Sequence, residues 1–326
     1  MSTPETNLSH AETASTLTPP ASNVASRSLP QTLLVLIRRE FWEHRALWIA
    51  PPIIAVLLLA AAFPVHVGLA PLGNQSLWTL ESGRAALFAL MEWSLTVPQY
   101  IVMLIVLSFY LLDCLHAERK DRSILFWKSM PVSDGTTVAS KLLTALVVVP
   151  LGVFVLALLT SVLFSAILAL RVWVGGLPRE VPVWDTVVWL KVQALMLYGV
   201  IVSMLWYAPA AAYLMLVSAW ARRNVFLWSS LPPVIAILVE HFAFGTHFVT
   251  SLIEYRTVGI WDALNLDQAA ERTVHAGHDS IVSLPGVFDT LNVTGPFLNI
   301  DLWLGVAVAA AMVFGAARIR RYRDDT

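Results

Sequence analysis

LLTALVVVPLGVFVLALLTSVLFSAILAL, residues 142–170, carries no charged side chain. A charge at the centre of a bilayer costs at least ~2.5 kcal/mol, and a helix needs about 20 apolar residues to cross the hydrocarbon. The stretch therefore reads as a membrane span, longer than the bilayer requires, so that it tilts or projects beyond it. Five further stretches of this kind flank it, roughly Leu47–Leu69, Val97–Leu115, Val192–Trp220, Val225–Gly245 and Leu298–Ala317. The last is the least hydrophobic, because Asp301 sits near its start, yet Leu302–Ala317 is uncharged. Pro209 predicts a kink in the Val192–Trp220 span.

Composition agrees. The 326 residues are 57% apolar and 13% charged, with a mean hydropathy of +0.70, whereas soluble domains carry about 25% charged residues. The fold class expected is all-α: a polytopic membrane protein with six transmembrane helices. A net charge of -1 gives no ground for a nucleic-acid partner, and the single cysteine, Cys114, excludes an intrachain disulfide. Residues 1–28, rich in Ser, Thr, Ala, Asn and Pro, read as a disordered tail. They hold no 7–15-residue apolar core of the kind a signal peptide has, so insertion is expected to begin with the first span.

Six spans put both termini on one side. Fifteen of the 21 basic residues fall before span one, between spans two and three, after span four and at the C-terminus. The other six, Arg84, Arg171, Arg179, Lys191, Arg256 and Arg272, fall in the alternate segments. The positive-inside rule then makes both termini cytoplasmic. Trp48, Trp78, Trp93, Trp173, Trp184, Trp189 and Trp303 cluster near span ends, as an interfacial belt does. Residues 47–317 form the transmembrane domain, with a cytoplasmic loop at 116–141, an extracytoplasmic segment at 246–297 and a basic tail at 318–326. At about 50 residues, the 246–297 segment suits a small cap.

Ser28-Leu-Pro-Gln31 reads as a capping box with Pro in the first turn. It opens an amphipathic helix over 29–46, with Leu34, Ile37, Phe41 and Trp48 on one face and Arg39 and Glu43 opposite. That helix lies along the membrane surface before the chain turns up at Pro51-Pro52, or it extends span one. In the 116–141 loop, Asp121 is placed to cap a short helix whose body, Ile124-Leu-Phe-Trp127, is strongly apolar. Pro131 stops it and Ser133 caps the next helix. Four large apolar residues in a charged loop either fold back onto the bilayer or enter a partner's groove.

The amphipathic start, then Leu112-Asp-Cys-Leu-His-Ala-Glu-Arg-Lys-Asp-Arg-Ser-Ile-Leu-Phe-Trp-Lys-Ser-Met-Pro-Val-Ser133, then Lys141-Leu-Leu and the turn Ser218-Ala-Trp-Ala-Arg-Arg223, together resemble the ABC-2 type transporter permease family. The resemblance runs from about residue 31 over nearly the whole chain. Ser123 departs from it, standing where the family often has Gly-Thr or Gly-Ser. The resemblance implies a coupling helix that docks into a separate ABC ATPase, with two permease chains, identical or homologous, on two ATPase chains. Its contact residues would be Glu118, Arg119, Asp121, Ile124, Leu125, Phe126 and Trp127, with Pro131 setting the exit angle. It also implies a bacterial cytoplasmic membrane and a subunit that is not itself an enzyme, without cofactor or catalytic residues. The chain has no phosphate-loop motif and no soluble segment long enough for a nucleotide domain.

Other patterns carry less. His275-Ala-Gly-His278 with His247 has metal-ligand types but lies in a polar loop, and no metal site is expected. Glu240-His241 lies near the end of span five, and Asp113 near the inner end of span two. No Ser/His/Asp set and no His-Glu-x-x-His occurs on the spans. Span interiors show only mild polar groups such as Ser108, Tyr110, Thr160, Ser161, Ser165, Tyr198, Ser203 and Tyr207. The expected lack of a buried carboxylate in the middle of the membrane argues against an ion-coupled carrier. The rival to a permease is a scaffold or sensor that holds a cytoplasmic partner through the same loop.

Overall fold

The structure is a computed structural model and describes residues 29–61, 81–121, 132–175, 177, 183–263 and 293–322. Among these there are helices and no strands. In chain order they are α1 (Leu29–Glu43), α2 (Ala46–Ala61), α3 (Glu81–Asp113), α4 (His116–Lys120), α5 (Asp134–Leu143), α6 (Val149–Trp173), α7 (Thr186–Trp206), α8 (Ala208–Trp220), α9 (Val225–Val239), α10 (Phe248–Ala263), α11 (Gly295–Leu298) and α12 (Ile300–Tyr322). A wider helical turn, Thr144–Val148, joins α5 to α6, and another, Glu240–Phe244, ends α9.

Among the described residues five continuous helical stretches are long and apolar enough to cross a membrane, and the α1–α2 pair, bent by 62°, makes a sixth if it is counted as one. They carry many exposed apolar side chains, most fully on α9, where only Ser229 is buried and Phe226, Leu227, Val234, Ile235 and Leu238 are exposed. Water would not tolerate such a surface, and lipid does.

The inside of the bundle is built where small residues let helices approach. α8 and α12 meet through Ala208, Ala212 and Ala309, and Ala316 is fully buried beside Ala219 and Met215. Without a hydrophobic drive between helices in lipid, such close contact supplies the cohesion. α3 and α6 add Met103, Leu107, Leu111, Val149 and Val153 to the same core.

The described helices differ from the sequence reading at several ends. α3 starts at Glu81 rather than near Val97, because Ala, Leu, Met and Glu before the apolar run are strong helix formers that hydropathy does not register. The Val192–Trp220 span is α7 plus α8. It breaks at Tyr207 (φ -90°, ψ 0°), since Pro209 has no N–H to offer the preceding turn. Pro51 and Pro52 do not turn the chain. They lie inside α2, and the bend falls at His44-Arg45. Ser133 caps α5 as its position predicts, its Oγ accepting from Thr136 N at 3.1 Å. The whole 1–28 tail, including Ser28 at the start of the capping box, lies outside the described residues, as does the 264–292 part of the long segment.

The segment after α9 holds a helix the sequence reading left open. α10 folds back on the bundle, and Trp206 Nε1 and Tyr207 OH donate to the carbonyls of Arg256 (3.1 Å) and Thr257 (3.0 Å). The Arg256 guanidinium lies 5.5 Å from the Trp206 ring centroid and donates from Nη2 to Asp301 O at 2.6 Å. It passes over Gly305, where an added Cβ would sit 2.7 Å from Nη1. Gly305→Ala is therefore expected to push Arg256 out of both contacts and to cost about 1–3 kcal/mol. The check is thermal unfolding in mild detergent, where an unchanged midpoint would show that Arg256 yields without penalty.

Candidate functional site: a buried ion cluster beside the 122–131 loop

The 122–131 loop lies outside the described residues, and so do Ile124, Leu125, Phe126, Trp127 and Pro131. Both of its flanks are described, and both are held by buried charge. α4 precedes it and carries Glu118; α5 follows it and carries Asp134 and Lys141.

Lys141, fully buried, donates to Glu40 Oε1 at 2.8 Å and Oε2 at 3.0 Å, and lies 3.2 Å from Glu118 Oε1. Glu118 Oε1 also accepts from Arg39 Nη2 at 3.0 Å, and its Oε2 lies 3.1 Å from Arg320 Nη2. Arg320 Nε lies 3.2 Å from Asp134 Oδ1, and Arg39 Nε is 2.6 Å from Glu43 Oε1. Tyr110 OH donates to Glu40 Oε2 at 2.9 Å. Three cations and four carboxylates thus join α1, α3, α4, α5 and α12. Lys141, Glu40 and Glu118, the most deeply placed of these, are tolerated there because each is both ion-paired and hydrogen-bonded.

A second contact fixes α4. Leu115 N and His116 N both donate to Ser218 Oγ at 3.1 Å. Arg119 Nη2 donates to Ser218 O at 2.6 Å and Ala221 O at 2.8 Å, which occupies carbonyls at the C-terminal end of α8. Two of the stretches that carry the family resemblance thus meet: Leu115, His116 and Arg119 of the one are bonded to Ser218 and Ala221 of the other.

Of the sequence-derived site residues, Glu118 is buried and Arg119 is turned onto the end of α8, so both face the inside of the bundle, while Asp121 is exposed at the end of α4. The α1 face turned inward centres on Leu36 and Glu40; Leu34 and Trp42 are exposed, and Arg39 is drawn into the cluster. Glu40 gave no sequence signal beyond being a charge near a span end, Lys141 entered only through the Lys141-Leu-Leu of the resemblance, and Arg320 read as part of a basic tail.

Glu92 is a buried carboxylate near one end of a candidate span, which the sequence reading did not single out. It lies in α3, inside the apolar stretch Phe88–Lys120, and is 2% exposed. Gln193 Nε2 donates to its Oε2 at 3.0 Å, and Ser161 is hydrogen-bonded to it as well. Thr96 and Gln99, on the same face of α3, are buried too. Glu240, by contrast, has a structural task. It accepts from Thr246 Oγ1 (2.9 Å), Val249 N (2.7 Å) and Phe248 N, and so caps α10.

Among the described residues Glu40, Glu43 and His44 bring metal-ligand atoms within 4.8 Å of one another. Lys141 and Arg39 already occupy the two carboxylates, and a third positive charge there would be repelled. His275 and His278 lie outside the described residues.

No family model, curated protein or solved structure matches this chain. The functional reading therefore rests on the residues and their geometry.

Proposed function

We propose that this chain is the permease subunit of an ABC-2 type transporter, crossing a bacterial cytoplasmic membrane six times with both termini cytoplasmic. The observation that supports it best is the ion cluster. Glu118 before the 122–131 loop and Asp134 and Lys141 after it are tied to α1 and to the end of α12. A displacement delivered to the loop would be passed to several helices together rather than absorbed locally, which is what mechanical coupling requires.

In this reading Ile124, Leu125, Phe126 and Trp127 enter a groove on a separate ABC ATPase, present in two copies, and Asp121 touches it from the rim. Glu118 and Arg119 act from inside, as positioning residues for the loop. Closure of the ATPase pair moves the cluster, and a cavity between two permease chains opens alternately to each side, exporting or flipping a substrate. The gathering of Arg39, Arg119, Lys141, Arg222 and Arg320 around one end of the bundle supports a cytoplasmic assignment for that end. α1, bent 62° from α2 with Leu34 and Trp42 exposed, suits a helix lying in the inner interface.

The test is purification of the tagged chain in mild detergent with mass spectrometry of what accompanies it, for wild type and for Leu125→Asp/Trp127→Asp. Each Asp places a charge in an apolar contact, so a stoichiometric ABC ATPase is expected with wild type and reduced at least tenfold in the variant, with the permease still monodisperse. A folded chain with no ATPase in either sample would put the scaffold reading first. Glu92, held by neutral Gln193 and Ser161, is the observation that favours an ion-coupled carrier instead. Transport driven by a pH gradient without ATP would support that reading.

A further inference from the structure

A cavity of about 620 Å³ opens at the end of the bundle where α4 meets the α8–α9 turn. His116, Arg119, Lys120, Ala221, Arg222, Arg223, Asn224 and Val225 line it. Four of these are permanent cations, and no carboxylate stands among them. Arg119 is committed to the α8 carbonyls, but Arg222 and Arg223 are exposed, and neither they nor Lys120 is paired with an acid among the described residues. Bringing this much positive charge together costs energy, and an anion offsets it.

Two further features point to what the anion is. α9 begins at this cavity, and Asn224, in a left-handed conformation (φ 50°), makes no side-chain cap, so first-turn N–H groups are left for another acceptor. The surroundings are those of a membrane interface. Trp220 and Trp228 pack edge to face at 4.9 Å, both partly exposed, and Phe226 is exposed beside them. A second cavity of about 590 Å³ shares Val225 and has an apolar wall of Leu47, Val106, Phe109, Leu112 and Phe226, with Glu43, His44, Arg45 and Asp113 on its polar side. A cationic pocket that adjoins an apolar wall matches an amphiphile with an anionic head.

We infer that the cavity between α4 and the α8–α9 turn is a binding site for a phosphate-bearing anionic lipid, with Lys120, Arg222 and Arg223 as ligands of its headgroup. The inference does not depend on the transporter reading. It ties lipid binding to α4, and hence to the segment that leads into the 122–131 loop.

The probe is phosphatidylglycerol, added to the full chain in detergent, with phosphatidylcholine in parallel and bound lipid counted by native mass spectrometry. Wild type is expected to retain one phosphatidylglycerol in at least tenfold preference, and Arg222→Gln/Arg223→Gln to lose at least tenfold of that retention. Because both arginines are exposed, the variant should fold, which an unchanged gel-filtration profile confirms. Arg318→Gln/Arg321→Gln removes the same charge from exposed positions on α12 and is expected to leave retention unchanged. Equal retention of the two lipids, or an equal loss in both double variants, would overturn the site. Inorganic phosphate alone at 1 mM is expected neither to displace the lipid nor to raise the unfolding midpoint. If it does both, the ligand is a soluble phosphate and the lipid assignment fails.

Discussion

Lys141→Met is expected to leave little folded protein. Lys141 is fully buried and faces both Glu40 and Glu118 at 2.8–3.2 Å. Methionine fills nearly the same volume, so packing is almost kept and what disappears is the charge. Two carboxylates then stand in a low-dielectric site with fewer partners, and breaking a buried pair in this way costs about 3–5 kcal/mol. That is a large part of the 5–15 kcal/mol that ordinarily holds a domain together. The measurement is the yield of monodisperse protein and its thermal midpoint in mild detergent, expected to fall by about 10 °C or more. Adding Glu40→Gln on top removes one stranded charge and is expected to restore part of the loss, a non-additive result that distinguishes pairing from packing. If Lys141→Met unfolds like wild type, the cluster does not hold the five helices together, and the mechanical argument for coupling goes with it.

Trp206→Ala is expected to detach α10. The indole is fully buried against Val202, Ile260 and Leu302, receives the Arg256 guanidinium on its ring and donates to Arg256 O. Removing so large a side chain from a packed site costs about 3–5 kcal/mol, because the cavity collapses only partly. The loss should be local as well as global, since the indole is the main link between α7 and α10. Hydrogen exchange is therefore expected to rise over residues 248–260 well beyond the rise in α3 or α6. Trp206→Phe keeps much of the packing but loses the indole N–H bond to Arg256 O, which keeps its helical partner, and about 0.5–1.5 kcal/mol is expected to be lost. A uniform rise in exchange across all helices would show instead that α10 and the bundle unfold as one unit.

These two sites show how differently the chain discloses its parts. Apolar runs, the Ser133 cap and the break near Pro209 are local properties, decided by a few neighbouring side chains and by whether a backbone N–H exists. They were legible as soon as the residues were read in order. Glu40, Glu118, Lys141 and Arg320 lie between 23 and 280 positions apart, and although Glu118 and Lys141 fall in the stretches that carry the resemblance, nothing near any of the four says that they pair with one another. Glu92 was passed over for the same reason in reverse. A hydropathy window weighs it as a polar end to a span, whereas Gln193 and Ser161 from two other helices surround it.

An all-α chain with about six apolar segments of membrane-spanning length follows from composition and period alone, because the cost of placing charge or open backbone in hydrocarbon is paid residue by residue. Which charges are buried, where the chain bends and what α10 packs against depend on which helices meet. The bend at His44-Arg45 rather than at Pro51-Pro52 is such a case: α1 is held to α5 by Glu40 and Lys141, and the prolines continue as helix. Pairing energy between distant residues appears only when folding brings them within a few ångströms, and a linear sequence carries no distance.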